Sequence, residues 1–342
     1  MNDWAPINTI QLNAQIPDDV KRAAELLRGN ALVALPTETV YGLAAHALNP
    51  LAIKKVFLAK NRPAQNPLIL HVHDYASAQK LFDIRNDKVA HRLKTLSSLW
   101  PGPLTIIAAK AKHIPDEATA GLEQVAVRIP QSLCTLAILR ELSFPLVMPS
   151  ANLSSRPSPT QALHVLKTLD GRIDAVLDGG ACEVGIESSV VRIDQEVVEI
   201  LRPGYFDASF LSALLKEPVE FENKKYQTPQ CPGQSFLHYA PSVKEVVLVN
   251  QTDFIEAWNT NASLLARQSD FEDFIQKYGQ RFGKGISLPL SDDHNIFAQQ
   301  LYGALYRCED APLEKVFIFV PSLDDDNWRA IKDRLKRSSG KC

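Results

Sequence analysis

Short apolar runs of strand length, set between stretches with helical spacing, recur through most of this chain and confine it to an α/β fold. ALVALP, PLILHVH and the runs at 104–109, 125–129, 146–148, 175–177, 189–193 and 197–201 predict strands. Each is short, aliphatic and bounded by Pro, Gly or polar clusters. PDDVKRAAELLR at 17–28 predicts a helix. Pro17 and two acids open it, Val20, Ala23, Ala24 and Leu27 recur at helical spacing, and Gly29-Asn30 stops it. Asn49-Pro50 predicts a capped start for a second helix over 50–60. Its apolar stripe of Ile53, Val56 and Phe57 is continued by Lys60 at the C-terminal end. Some strands are separated by helices and others by short turns, which predicts a twisted mixed sheet.

The pattern breaks at 217–241, EPVEFENKKYQTPQCPGQSFLHYAP, which is polar, Pro-containing and aperiodic. Such a stretch reads as an interdomain linker. After it EVVLV, a helix near 252–267, GISLPL, a helix over 293–308, KVFIFV and a helix over 325–337 alternate, predicting a small Rossmann-like parallel-sheet domain. The expected division is a domain over 1–216, a linker over 217–241 and a domain over 242–342. A chain of 342 residues suits two domains. The net charge of −2 gives no overall pull toward nucleic acid or membrane. Cysteines at 134, 182, 231, 308 and 342 lie in no disulfide or zinc spacing, which predicts a reducing cytoplasmic setting and no resident metal. The opening stretch has no basic segment before an apolar core, so no secretory signal is expected. No apolar run approaches the ~20 residues that span a bilayer.

Four groups of residues could carry chemistry. In KNRPAQNPLILH, Lys60 and Arg62 stand where a helix runs out, able to converge on one polyphosphate; a solvated helix end explains them equally. His71 and His73 are expected on one strand face, as half-buried histidines or a metal pair lacking a third ligand. Upstream, Thr37, Thr39 and Tyr41 alternate along a stretch expected to be extended, so that their side chains share a face. PSANLSSRPSPT at 149–160 follows a strand and precedes a helix beginning near Thr160, offering hydroxyls, N–H groups and a helix start to an anion; an ordinary capped loop has the same composition. GIESSVVRI and EILRPG form a hairpin that could bring Ser189 near Arg202. WPGPLT and VAVRIP place Trp100, Thr105 and Arg128 at strand edges. There is no Walker loop, dinucleotide fingerprint or GxSxG elbow.

In this order PTETVYGL, KNRPAQNPL, LWPGPLT, VAVRIP, PSANLS, GIESSVV and ILRPG resemble the YrdC-type domain of threonylcarbamoyl-AMP synthases. PGQSFLHYAP and the α/β tail resemble the longer, two-domain form of that family. The resemblance implies a nucleotidyltransferase that joins L-threonine, bicarbonate and ATP into threonylcarbamoyl-adenylate and pyrophosphate, with Mg2+ arriving on the ATP. It implies that a separate transferase complex then moves the group onto position 37 of tRNA. By motif match Lys60 and Arg62 are the expected catalytic residues. Arg62, Asn66, Ser150, Asn152, Arg202 and Tyr239 are expected at the nucleotide, and Thr39, His71, Arg128 and Ser189 at threonine. His238 and Tyr239 are expected in a lid. The chain departs from the family's usual pattern at Ser155, where Gly is common, at Ser189, where Thr is common, and at Gln234 and Leu237. A tRNA-binding module related to double-stranded RNA binders is the competing class, and the neutral charge weighs against it. A carbamoyl-transfer domain of a larger maturation enzyme would carry zinc-finger cysteine pairs, which this sequence lacks.

Overall fold

The computed structural model describes residues 7–222, 229–233, 238–243, 245–249, 263–278, 286–310, 315–319 and 326–339. Two compact units result. The first holds Met1–Ser154, Pro159–Glu183 and Glu187–Gln234; the second holds Ser155–Ser158, Val184–Ile186 and Ser235–Cys342.

In the first unit eleven strands form one sheet. They are β1 (Ile10–Asn13), β2 (Val33–Leu35), β3 (Gly42–His46), β4 (Ile69–His71), β5 (Leu104–Ala109), β6 (Gln124–Arg128), β7 (Leu146–Val147), β8 (Ala175–Asp178), β9 (Ser189–Ile193), β10 (Val198–Arg202) and β11 (Glu220–Phe221). Their order is β1-β8-β2-β3-β7-β4-β6-β5-β9-β10-β11, with parallel and antiparallel neighbours mixed as expected. The helices are α1 (Pro17–Arg28), α2 (Pro50–Lys60), α3 (Tyr75–Gln79), α4 (Asp87–Leu96), α5 (Asp116–Thr119), α6 (Leu133–Glu141), α7 (Ala162–Leu169) and α8 (Ala208–Leu215). The sheet continues past residue 216, because β11 adds beside β10 in parallel register.

The two faces of the sheet are covered differently. Side chains of α2, α4, α7 and α8 join Leu70, Ile106, Val127, Val191 and Ile200 in one large core. Ala23, Ala24 and Leu27 of α1 pack with Ile138 and Leu139 of α6 against Val33, Leu35 and Leu177. Each fully buried Ile, Leu or Val contributes roughly 1.5–3 kcal/mol. Strand alternation sends Ile69, Ile107, Ala126 and Val190 to the face opposite the large core, where they form a small patch with Leu201 and Cys231. Cys231 comes from the stretch expected to be a spacer, and it is fully buried there.

In the second unit β12 (Glu245–Val249), β13 (Ser263–Arg267), β14 (Ser287–Leu290) and β15 (Lys315–Phe319) form an all-parallel sheet in the order β12-β15-β13-β14. Among the described residues its helices are α9 (Gln268–Tyr278), α10 (His294–Asp310) and α11 (Arg329–Ser338). Residues 263–267, expected at the end of a helix, are instead strand β13, because pairing with β14 and β15 outweighs the helix preference of Leu-Leu-Ala-Arg. The rest of that expected helix lies outside the described residues. The segments 155–158 and 184–186 belong here through α10. The Tyr306 hydroxyl donates to the Pro157 carbonyl at 2.8 Å. A Cβ on Gly185 would sit 2.3 Å from Gln299 Cα, so only glycine fits.

Candidate functional site

Five neighbouring strands, β4, β6, β5, β9 and β10, bring one row of residues onto the face of the small patch. His71 stands opposite Arg128 where β4 and β6 end. The register of β6 with β5, carried one residue past Ile106 and Val127, sets Thr105 beside Arg128. Thr105 is level with Val190, and Val190 with Arg202. A bulge between Ile200 and Arg202 allows Leu201 and Arg202 both to face this side. The hairpin expected to carry Arg202 back toward the start of β9 is therefore present.

The serine it meets is Ser188. Arg202 Nη2 donates to the Ser188 carbonyl at 3.0 Å and to its hydroxyl at 3.1 Å. That hydroxyl lies 2.7 Å from Thr105 Oγ1. Ser189 points to the opposite face, with its hydroxyl between the Phe206 N–H at 2.8 Å and the Phe206 carbonyl at 2.9 Å. The strand period separates the two serines: Ser188 is two residues before Val190, whereas Ser189 is level with Leu104 of the large core. Gly204 fixes this arrangement, since a Cβ there would lie 2.2 Å from Ser189 N. Arg202 Nη1 also donates to the Pro232 carbonyl at 3.1 Å, so the segment after residue 229 touches the row directly.

Arg128 is 4% exposed and Glu38 5%. Arg128 Nε donates to the Gly102 carbonyl at 3.2 Å, and Nη2 lies 2.7 Å from Glu38 Oε1. The other Glu38 oxygen accepts the Gln131 N–H at 3.0 Å. Glu38, passed over in the sequence, shares a loop with Thr39. The loop is not extended. Thr37 Oγ1 accepts the N–H groups of Thr39 and Val40 at 3.2 Å and donates to the Val40 carbonyl at 2.6 Å. Thr37 and Thr39 hydroxyls meet at 2.9 Å, while Tyr41 leaves their side and donates to the Gly180 carbonyl at 2.7 Å. Burial, then the neighbouring Arg128 charge, lowers the His71 pKa to about 3. The ring is neutral, and Nδ1–H faces the Ile69 carbonyl at 3.1 Å, which leaves Nε2 as an acceptor. His73 lies beyond the end of β4, partly exposed, with Nε2 3.2 Å from Asp74 Oδ2.

Lys60 ends α2 on its buried stripe, as expected, at 1% exposure. Asn61 then adopts left-handed φ of 51°, reversing the chain and leaving Arg62 N–H on the Phe57 carbonyl at 2.9 Å. Lys60 Nζ donates to the carbonyls of Ser150 and, at 2.6 Å, Asn152. The ammonium thus clamps the loop after β7, and burial followed by the Arg62 charge pushes its pKa well below the usual lysine range. Arg62 donates to the Pro67 carbonyl at 3.1 Å. Asn66 is buried, and its Oδ1 has no partner among the described residues. Asn152 Nδ2 donates to the Leu153 carbonyl at 2.8 Å. Lys60 and Arg202 are the informative cations. Both are buried, and their partners among the described residues are carbonyls and one hydroxyl, with no carboxylate.

A cleft of about 1150 Å³ opens beside the Thr37–Glu38 loop. Its walls carry Asp19, Glu38, Asp178 and Glu183 and no Lys or Arg, so it is unsuited to a polyphosphate. Among the described residues no group of three or more His, Cys, Asp or Glu could hold a metal ion. None of the described helices is long and apolar enough to cross a membrane.

Tyr239 stands in the second unit at 1% exposure, with φ of 65°. Its ring is 5.6 Å from the Arg334 guanidinium and 5.5 Å from the Tyr302 ring. His238 N–H donates to the Arg337 carbonyl at 3.2 Å. Ser155, which replaces a common glycine, has φ of 70°, and its carbonyl accepts the Ala240 N–H at 2.9 Å. Gln234 and Leu237 lie outside the described residues.

Comparison with known proteins gives the chain a family. A family profile described as "Telomere recombination", covering Sua5, YciO and YrdC, matches residues 25–204. A second, described as "Threonylcarbamoyl-AMP synthase, C-terminal domain", matches residues 196–340. Threonylcarbamoyl-AMP synthase of Bacillus subtilis is 40% identical across 98% of this chain and 97% of its own length. That of Pyrococcus abyssi is 38% identical across 94% of each. The crystal structure of P. abyssi Sua5 complexed with L-threonine superposes with a TM-score of 0.84 over 98% of both chains, at 28% identity in the superposition. The chain belongs to the two-domain threonylcarbamoyl-AMP synthase family.

Proposed function

We infer that this chain condenses L-threonine, bicarbonate-derived CO2 and ATP into threonylcarbamoyl-AMP, releasing pyrophosphate. The observation that carries the reading is the pair of buried cations, Lys60 and Arg202, that lack carboxylate partners among the described residues. A buried charge without a counter-charge costs several kcal/mol, so an anionic ligand is what balances such a site. The triphosphate of ATP supplies that anion.

Arg62, Asn66, Ser150, Asn152 and Arg202 are assigned to the nucleotide. Lys60 positions the Ser150–Asn152 loop and adds its charge. Thr39, His71 and Arg128 are assigned to threonine, with Ser188 in the place expected for Ser189. The amine of threonine adds to CO2 and loses a proton, giving a carbamate. A carbamate oxygen attacks the α-phosphorus, and pyrophosphate departs. In-line displacement of this kind needs positioning and electrostatic stabilisation more than a covalent nucleophile. The assigned side chains are cationic or neutral, suited to phosphate oxygens, so Mg2+ enters as part of the MgATP substrate. The Cys231–Pro232 segment on the row excludes water from the labile carbamate. The product then passes to a transferase complex that modifies tRNA position 37, in the cytoplasm. The test is pyrophosphate release that requires both threonine and bicarbonate; release independent of either one refutes the assignment.

A further inference from the structure

Two buried polar atoms of opposite kind lie next to each other in the row's surroundings. Glu38 Oε1 and Arg128 Nη2 are 2.7 Å apart, yet neither has a hydrogen-bond partner among the described residues, because the Nη2 hydrogens are not aimed at Oε1. The rest of each group is fixed. Glu38 Oε2 holds the Gln131 N–H at 3.0 Å, and Arg128 Nε holds the Gly102 carbonyl at 3.2 Å. What remains is one N–H group and one carboxylate oxygen that meet as an ion pair with no hydrogen bond between them, flanked by a neutral His71. A ligand that completes both atoms must offer an acceptor to Arg128 and a donor to Glu38 from neighbouring positions. An α-amino acid does so, since its carboxylate and amine are attached to one carbon. A simple carboxylic acid satisfies only the arginine and brings an unbalanced negative charge beside Glu38.

The geometry points to Glu38 as a specificity residue that accepts a hydrogen bond from the amine of the amino-acid substrate, while Arg128 holds the carboxylate. This rests on the assignment of Arg128 to threonine. Glu38 keeps its role through the reaction, because a carbamate nitrogen still carries one N–H. Both groups hang on rigid supports: Glu38 on the loop tied by Thr37, and Arg128 at the end of β6. The pair is thus set before the ligand arrives, which favours selectivity.

Titration calorimetry of the full-length protein with L-threonine and with 3-hydroxybutanoate, which lacks only the amine, tests the idea. The wild type should bind threonine at least tenfold more tightly than the hydroxy acid. Glu38→Gln should lose tenfold or more in threonine affinity with little loss for the hydroxy acid, so that the preference collapses. Arg128→Met should weaken both ligands. A merely structural Glu38 would weaken both ligands together in Glu38→Gln, and an unchanged preference there overturns the proposal. Equal binding of the two ligands by the wild type also overturns it, and that comparison needs no variant to fold. Failure of the underlying assignment is separate: threonine then binds Arg128→Met as it binds the wild type.

Discussion

The two adjacent serines at the start of β9 should respond oppositely to removal of their hydroxyls. In Ser189→Ala the Phe206 N–H and carbonyl both lose their buried partner, at 2.8 and 2.9 Å in the native chain. Leaving a buried polar group unsatisfied costs about 1–3 kcal/mol. A loss of about 2 kcal/mol lowers the melting temperature of a unit this size by about 4–8 °C. The site row is on the other face, so threonine KM and kcat should stay within about twofold once the protein is folded. Ser188→Ala removes the hydroxyl shared by Thr105 and Arg202, at 2.7 and 3.1 Å. The Ser188 carbonyl keeps its two bonds from Arg202, so the fold should hold. Activity should fall by 10- to 100-fold, since about 1.4 kcal/mol corresponds to tenfold. Urea unfolding and pyrophosphate release on both variants decide the matter. A stable Ser189→Ala with a raised threonine KM, beside an active Ser188→Ala, would refute the assignment of faces.

Lys60→Met keeps the apolar stem but drops the clamp on the Ser150 and Asn152 carbonyls, and pyrophosphate release should fall at least 30-fold, about 2 kcal/mol; near-parental turnover would show that the ammonium only satisfies the loop. His71 has a folded pKa of about 3 against 6.5 unfolded, so its share of stability is present above pH 6.5 and is lost as pH falls toward 3. Between pH 6.5 and 5 that share is about 2 kcal/mol, and His71→Gln should flatten the urea-unfolding stability profile by about this much; parallel profiles would contradict the burial argument. Ser155→Gly should raise stability by about 0.5–1 kcal/mol in thermal unfolding, because a non-glycine residue at φ of 70° is strained, and a lower midpoint would count against strain there.

The sequence makes some of this site legible and hides the rest for identifiable reasons. The helical stripe through Ile53 and Val56 predicts the burial of Lys60, since 3.6-residue spacing leaves the ammonium nowhere else to point. His71 and Arg128 are legible as strand residues, but their adjacency depends on which strands pair, and pairing is not written locally. Ser189 is expected at threonine by motif match, and the motif does not say which of the two adjacent serines faces the site. Counting back by twos from Val190 selects Ser188, yet that count has meaning only once the face of Val190 is known. Strand β3, Gly42–His46, is hidden because GLAAH is nearly all small and buried along most of its length, so it shows no alternation. Helices α3 and α5 span only a turn or so, too short for a period to show in the sequence. Glu38 is a single acid among threonines, and its signal is an acid within a segment otherwise fit for a core.

The order of the large sheet also bears on how the chain leaves the ribosome. Strand β5 is flanked by β6, made soon after it, and by β9, made much later. Strand β2 likewise waits for β8. A nascent chain that has reached β7 therefore shows two unpaired margins, one of them the apolar LTIIAA of β5. Exposed margins of this kind invite pairing with other chains, and synthesis adds only ~5–20 residues per second. The substrate row cannot exist in any shorter product, because Arg202 is its last member. Ribosome-associated chaperones should therefore engage this chain most strongly while residues 110–190 emerge. Slow codons placed just after β10 should help folding more than slow codons before β8.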